Sequence, residues 1–523
     1  MPIAALTGAV PGVEETLVLL LIISAAVAVV ARRVGVPYTI GLVLVGLAVG
    51  LASHIDTLRL SSDLVFYVFL PILLFEAAFN LEAGHLRDQW RRILALAVPG
   101  VFVAFALTAL GVHLLGGLTW PLALLFGALI AATDPVSVTA LFHRLGVSER
   151  LTTLVDAESL FNDGAAAVLF AIVLAVVVDG HAFSGGWAVG KFAWMAAGGL
   201  VVGVGVGLAA SLVHRDLDDH LIEITLSTIV AYGSFLLGQR LGMSGVVACV
   251  AAAIVLGNLG RRRTMSPVTR VTMNTVWEYA AFVANSLIFL LIGLSMHLRV
   301  IAGHLGLVVI AFVVVVAARA VTVYGYGLIA RLFGAGLSLR WQHVLVWGGL
   351  RGTIALALVL SVPATTVGRA TLEVVTFGVV LLSLVGQGLT MPWVTHRLGL
   401  EREESALRRR REALLDGFVG AHEELDRLQE AGAVPPAQRR QLERTIEEQE
   451  GLLLEEMRPL VDEPAEGDQE RLAERIGALV DQRRRIDVLR HNGALADPIA
   501  DELTAEVDQR VALLGERLRA PWR

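Results

Sequence analysis

Cysteine and charged residues are both scarce in this chain of 523 residues. The single cysteine, Cys249, excludes a disulfide framework, a CxxC redox pair and a thiolate metal site. Only 17% of the residues are charged and 55% are hydrophobic, with a mean hydropathy of +0.69, whereas soluble domains are about 25% charged. These values exclude a water-soluble globular protein.

Common enzymatic motifs are missing as well. The sequence has no Walker A motif, no HExxH and no glycine-rich dinucleotide motif, so it predicts no site for ATP hydrolysis or zinc proteolysis. We expect no enzyme activity, no cofactor and no nucleic-acid partner, so any driving energy must come from an ion gradient. Because the N-terminus lacks a basic region and an AxA cleavage site, its first apolar stretch is predicted to be a retained span.

The charge that is present divides the chain into two predicted domains. Residues 401–523 hold 29 Asp and Glu and 20 Arg, while residues 1–400 carry only about one charge in ten. The first domain belongs in a lipid bilayer and the second in water. Residues 401–523 favour short amphipathic helices, and two interpretations stay open: a helical appendage that helps assembly, or a regulatory domain.

Thirteen apolar runs in residues 1–400 are long enough to span a bilayer, which predicts an all-α polytopic membrane protein. They lie at 14–31, 37–53, 62–81, 93–115, 119–143, 154–178, 187–213, 220–238, 243–258, 276–295, 303–330, 341–361 and 369–396. With the N-terminus outside, the inner loops contain fourteen basic residues and the outer loops five. An odd number of spans then places residues 401–523 in the cytoplasm.

The fifth run contains the sequence ATDP at residues 132–135. Pro135 removes a helix hydrogen bond and disfavours helical conformation in the residue before it, so we expect a break at Thr133 and Asp134. A break at mid-membrane depth is tolerated where it lines a cavity, and it frees carbonyls beside the carboxylate of Asp134. The alternative is a structural kink capped by the aspartate.

The sixth run begins with Asp156, Glu158, Ser159, Asn162 and Asp163. Asp156, Ser159 and Asp163 share one helix face, and Glu158 and Asn162 share the adjacent one, so Ser159, Asn162 and Asp163 can converge on the break. Burial penalises the charged form of a carboxylate, which then holds either a proton or a cation. That competition is the chemistry of ion exchange; the alternative is a polar cluster that only joins helices.

The twelfth run is interrupted by the sequence GGLRG at residues 348–352. Arg351 needs an anionic partner inside the membrane, and Glu158 is the predicted one because Asp163 must stay free to change charge. Interrupted helices in runs five and twelve, in two inverted halves of the chain, indicate the site of a secondary transporter.

Three further polar residues lie within apolar runs. Glu76 in run three is interpreted as a residue on the ion path or as an acid that reaches the membrane surface. Arg319 in run eleven is predicted to pair with an unidentified partner. Asn285 in run ten is interpreted as a packing residue.

Five motifs in this order resemble those of the NhaP-type sodium/proton antiporters, on the branch that includes the eukaryotic sodium/proton exchangers. They are FLPILLFE at 69–76, ATDP at 132–135, ESLFND at 158–163, NSLIFLLIGL at 285–294 and GGLRG at 348–352. The resemblance covers residues 14–400. It implies thirteen transmembrane helices in two inverted repeats, with crossed discontinuous helices in a six-helix core, and a homodimer with elevator-type alternating access.

The resemblance also implies roles for individual residues. Asp163 resembles the carboxylate that binds the cation or proton, and Asn162 the asparagine that orients the site. Asp134, Ser159 and the Thr133 carbonyl are implied as further cation ligands. Glu158 and Arg351 are implied as the buried ion pair, and Glu76 as a ligand or ion-path residue.

The resemblance implies Na⁺, with Li⁺, as the cation exchanged for H⁺, and K⁺ is the alternative. Electrogenic relatives carry two adjacent aspartates, whereas Asn162 replaces the first one here, which predicts electroneutral exchange of one cation for one proton. A passive channel or a membrane sensor on the same scaffold is the competing class.

Overall fold

The fold is taken from a computed structural model. It describes residues 13–400, with gaps at 35–36, 53–60, 82, 146, 215–218, 261–266, 297 and 333–335, together with Arg483. The predictions for residues 401–523 otherwise lie outside the described residues. Within the described part, every regular element is helical, as the apolar runs predict.

The helices are numbered in chain order. Before the first break lie α1 (Val13–Val34), α2 (Tyr38–Ala52), α3 (Leu70–Asn80), α4 (Ala83–Ala97), α5 (Pro99–Leu114) and α6 (Trp120–Leu129). Between the breaks lie α7 (Val136–Leu145), α8 (Glu149–Val177), α9 (Gly185–His214), α10 (His220–Arg240), α11 (Gly245–Val255), α12 (Pro267–Ser295), α13 (Leu298–Gly303), α14 (Leu305–Leu332) and α15 (Leu339–Trp347). After the second break lie α16 (Thr353–Ser361), α17 (Arg369–Leu382) and α18 (Leu389–Arg397).

Three π-helical segments extend these helices. Leu64–Phe69 leads into α3, Leu256–Gly260 continues α11, and Ser383–Gly388 joins α17 to α18. Such segments are frequent at functional sites because they change the direction of the following side chains.

Several helices have the length and surface of membrane spans. Among the described residues, seven stretches are long and apolar enough to cross a bilayer: Leu86–Leu114, Arg150–Val177, Gly185–Val213, Leu221–Arg240, Thr272–Ser295, Leu305–Arg331 and Arg369–Arg397. Large apolar side chains face outwards on them; Val189 and Val201 of α9 are both 71% exposed. A helix whose outward-facing side chains are apolar, as well as those packed against the rest of the protein, is typical of a membrane span rather than of a helix exposed to water.

The two predicted helix breaks are confirmed, and they contact each other. Residues 130–135 separate α6 from α7, and residues 348–352 separate α15 from α16. The backbone amide of Asp134 donates to the carbonyl of Leu350 over 2.8 Å, so each break satisfies part of the other's backbone. Gly352 allows this approach, since a side chain there would overlap the Asp134 carboxylate.

Small residues also bring α2 against α12. Gly46 on α2 faces the backbone of Leu290, and Gly293 on α12 faces the backbone of Val43, with no room for a side chain at either glycine. Close backbone approach of this kind is typical of packed membrane helices. It aligns the start of α2 with Asn285 of α12, beside the crossing of the two breaks.

Candidate functional site

The carboxylate of Asp134 lies at the start of two helices. Its Oδ1 accepts the backbone amide of Val136 over 3.0 Å at the beginning of α7, and the backbone of Thr353 at the beginning of α16 also hydrogen bonds to it. Free amides and the helix macrodipole both favour negative charge at a helix start. The broken helices therefore fix the position and support the charge of Asp134.

The guanidinium of Arg351 lies where α6 ends, at the other side of the first break from the start of α7. Its Nη1 donates to the carbonyls of Ile130, Ala131 and Ala132, where α6 ends; the bonds to Ala131 and Ala132 measure 2.8 and 3.0 Å. A cation beside carbonyls left unpaired at a helix end compensates the negative end of the macrodipole.

The predicted ion pair between Glu158 and Arg351 is wrong, because Arg319 occupies that place. Arg319 on α14 donates Nη1 and Nη2 to the two carboxylate oxygens of Glu158, both over 2.8 Å. Its Nε donates to the carbonyl of Leu345 in the last turn of α15 over 3.2 Å. Arg351 thus binds the carbonyls at the end of α6, and Arg319 binds a carbonyl at the end of α15. The guanidinium of Arg319 also forms a bidentate ion pair with both carboxylate oxygens of Glu158.

Asn162 connects this ion pair to the first break. Its Nδ2 donates to Glu158 Oε1 over 3.2 Å and to Thr133 Oγ1 over 2.6 Å, and its Oδ1 accepts the Thr133 amide over 3.2 Å. The charge on Glu158 thereby fixes which way the amide of Asn162 points. Arg319, Glu158 and Asn162 form one buried chain that ends on the unwound backbone at Thr133.

Asp163 lines a cavity of about 90 Å³, and its buried Oδ1 has no hydrogen-bond partner among the described residues. The side chain is buried, with 8% of its surface exposed. Asp134, Thr133 and Asn285 line the same cavity. The cavity is lined mostly by apolar side chains, but it holds these polar groups and its volume is enough for several water molecules.

This cavity presents the chemistry that a hard monovalent cation requires. Three carboxylates, Asp134, Asp156 and Asp163, together with an amide and unwound backbone, can replace the oxygens of a hydration shell. Leaving a buried carboxylate oxygen without a partner carries a free-energy cost, which binding of a proton or a cation would remove.

Ser159 lies on the other side of Thr133 from Asp163. Its hydroxyl donates to the Thr133 carbonyl, and it lines a separate space of about 10 Å³ together with Glu158 and Arg319. In this conformation Ser159 supports the break. Ligation of a cation by Ser159 and the Thr133 carbonyl stays a prediction; their hydrogen bond leaves a lone pair free on each oxygen.

Glu76 and Asp156 lie towards one end of the cavity. Asp156 is part of the cavity wall, and Glu76 is half-buried on α3, where its Oε1 accepts the amide of Asn80 over 2.9 Å. The two carboxylates are close enough to interact electrostatically. The structure thus groups Glu76 with Asp156 rather than directly with Asp163.

Two residues of this region were not identified as functional from the sequence. Asn285 was predicted to be a packing residue, yet it lies on the cavity wall opposite α8. Tyr38, at the start of α2, is within hydrogen-bond reach of Asn285 and stacks at a tilt on Phe282, with ring centroids 5.6 Å apart. The only sequence signal was a lone amide in the apolar second half of α12.

Comparison with known proteins gives consistent relatives. The family model described as the transmembrane sodium/hydrogen exchanger matches residues 18–397. The Na⁺/H⁺ antiporter ApNhaP of Aphanothece halophytica is 39% identical over 405 residues, covering 77% of this chain and 76% of the relative. The Na⁺/H⁺ antiporter NhaG of Bacillus atrophaeus is 38% identical over 407 residues, covering 76% and 77%.

The fold is similar to that of a solved structure, the sodium proton antiporter MjNhaP1 from Methanocaldococcus jannaschii at pH 8. The TM-score is 0.60 at 20% identity, and the match covers 73% of this chain and 97% of the other. At this identity the similarity shows a shared fold.

Proposed function

Because the chain belongs to the sodium/hydrogen exchanger family, we propose that it is a secondary antiporter that exchanges Na⁺ for H⁺ across a membrane, with Li⁺ as a second cation. The observation that supports this most is that Asp163 lines the cavity while its buried Oδ1 has no hydrogen-bond partner among the described residues. The relatives described above are named for Na⁺, so the K⁺ alternative gains no support from them.

In the proposed mechanism one proton and one cation compete for Asp163. Release of the proton leaves a carboxylate that binds a largely dehydrated Na⁺, with Asp134 as the second charged ligand. The Thr133 carbonyl and Ser159 complete the set through the lone pairs that their hydrogen bond leaves free. Asn162, held by Glu158 and Arg319, orients the unwound backbone but does not bind the ion.

The proposed architecture is that of alternating access. Residues 1–400 form thirteen spans in two inverted repeats, and a core containing both broken helices moves like an elevator against a dimerisation domain in a homodimer. Each of the thirteen apolar runs overlaps one helix or two consecutive helices, which supports this count. We further propose a cell-membrane location, with the N-terminus outside and the helical tail 401–523 in the cytoplasm.

We expect the exchange to be electroneutral. Asn162 forms its hydrogen bonds as a neutral amide, so the ESLFND segment contributes one titrating aspartate, Asp163, and one proton is exchanged for one Na⁺. In proteoliposomes with a set pH gradient, adding NaCl or LiCl is expected to drive proton flux that choline chloride does not drive. Clamping the membrane voltage with valinomycin and K⁺ should leave the initial rate unchanged.

Each other outcome has a distinct meaning. A rate that follows the imposed voltage would contradict one-for-one exchange but not antiport. Cation flux without counter-movement of protons would instead indicate a passive channel, and the proposed function would fall.

A further inference from the structure

Asp156 is a membrane-embedded carboxylate that the mechanism above does not use. It lies seven residues before Asp163 on the continuous helix α8, about 10 Å along the axis, and on the same face. Both residues line the one cavity. A charged side chain at this depth is costly unless it faces water, an ion or a partner.

The partners of Asp156 leave its charge uncompensated. Within the described part of the chain it forms no ion pair: Arg319 is committed to Glu158, and Arg351 donates to the carbonyls at the end of α6. The hydroxyl of Thr139, which donates to the Pro135 carbonyl over 3.1 Å, is within hydrogen-bond reach of Asp156. Among the described residues, Glu76 acts on it electrostatically, with the same sign of charge.

Most side chains that line this cavity are apolar, among them Leu70, Leu73, Leu74 and Ala77 of α3, and they offer no oxygen to an ion. A cation beside Asp156 would therefore keep part of its water shell. Asp163 lines the same cavity, and its buried Oδ1 has no hydrogen-bond partner among the described residues.

We propose that Asp156 is a second cation-attracting carboxylate, which holds a partly hydrated Na⁺ at the N-terminal end of α8 before the ion reaches Asp163. This inference rests on the proposed function. Asp156 raises the local concentration of the cation, whereas Asp163 binds it for translocation. Its removal therefore weakens apparent affinity more than it slows turnover.

The test is steady-state Na⁺/H⁺ exchange by purified full-length protein in proteoliposomes, with Asp156→Asn as the main variant. Asn keeps the size of the side chain but removes the charge. We expect the half-saturating Na⁺ concentration to rise roughly five- to tenfold, as a unit charge about 10 Å away in a partly polar medium predicts. The maximal rate should stay within about twofold.

Two controls separate attraction from a structural role. Asp156→Glu restores the charge and should return most of the affinity. Asp179→Asn removes an exposed carboxylate just beyond the other end of α8 and should behave like the wild type.

Three results would overturn the inference. An unchanged half-saturating concentration in Asp156→Asn, or a lower maximal rate at unchanged affinity, would assign Asp156 to structure while the exchange function stands. An affinity loss that Asp156→Glu does not restore would also argue against a role of charge. A wild-type protein without Na⁺-driven proton flux would remove the proposed function itself, and this inference with it.

Discussion

Replacing Asp163 by Asn is expected to reduce Na⁺-driven proton flux by about 100-fold or more. The amide occupies the same volume but can neither take up a proton at working pH nor neutralise a dehydrated cation in the cavity shared with Asp134. Loss of a buried charged partner typically costs about 3–5 kcal/mol, which corresponds to roughly two to four orders of magnitude in rate. Proton flux in proteoliposomes at several NaCl concentrations measures the effect.

The variant should fold normally because Asp163 Oδ1 has no hydrogen bond to lose. Its thermal unfolding in detergent should therefore match that of the wild type or exceed it. Asp179→Asn is the matched control, since it removes the same charge from an exposed position. Exchange above about a tenth of the wild-type rate, with normal folding, would move the site away from Asp163, and Asp134 would be the next candidate.

Replacing Glu158 by Gln is expected to lower the free energy of unfolding by about 3–5 kcal/mol. The change leaves the guanidinium of Arg319 buried without its bidentate carboxylate partner. Removing one partner of a buried ion pair destabilises a protein more than replacing both partners, because it leaves a buried charge uncompensated. It also weakens the anchor of Asn162 on the first break, so exchange should fall as well. Reversible denaturation in mixed micelles measures the stability.

A double-mutant cycle identifies the partner of Glu158. Combining Glu158→Gln with Arg319→Gln should recover part of the lost stability, giving a coupling energy above about 2 kcal/mol. The same cycle with Arg351→Gln should give a smaller coupling, because Arg351 donates to the carbonyls at the end of α6. Stronger coupling of Glu158 to Arg351 than to Arg319 would contradict the pairing described here.

The two breaks could be predicted because their causes are local. Pro135 and the glycines of residues 348–352 interrupt apolar helices whatever the surroundings, and the helices end within a few residues of the expected positions. The approach of Asn162 to Thr133 was also predictable, since it follows from helix periodicity once the break is placed.

The partner of Glu158 could not be predicted from spacing. Arg319 and Arg351 both lie in apolar runs far along the chain, and no sequence pattern gives the distance from either to α8. Arg351 was favoured because it accompanies an obvious interruption. In the structure Arg351 instead donates hydrogen bonds to the carbonyls of residues 130–132. These carbonyls are free to accept them only because the helix breaks there.

The contribution of Asn285 to the cavity that Asp163 lines was not predicted, for a similar reason. Asn285 is one amide in an apolar helix, and such residues usually serve packing. It reaches the cavity because Gly46 and Gly293 let α2 and α12 approach closely, which is a property of the pair and not of either sequence alone.

Competition between H⁺ and Na⁺ at one carboxylate is the central claim, and the pH dependence of Na⁺ affinity tests it most directly. The measurement is the half-saturating Na⁺ concentration of the full-length protein in proteoliposomes at a series of equal internal and external pH values. On the acid side it should rise about tenfold for each pH unit lost, because cation binding needs the deprotonated ligand. The maximal rate at saturating Na⁺ should change little there. A half-saturating concentration that stays constant while the maximal rate falls would show that proton and cation do not share Asp163.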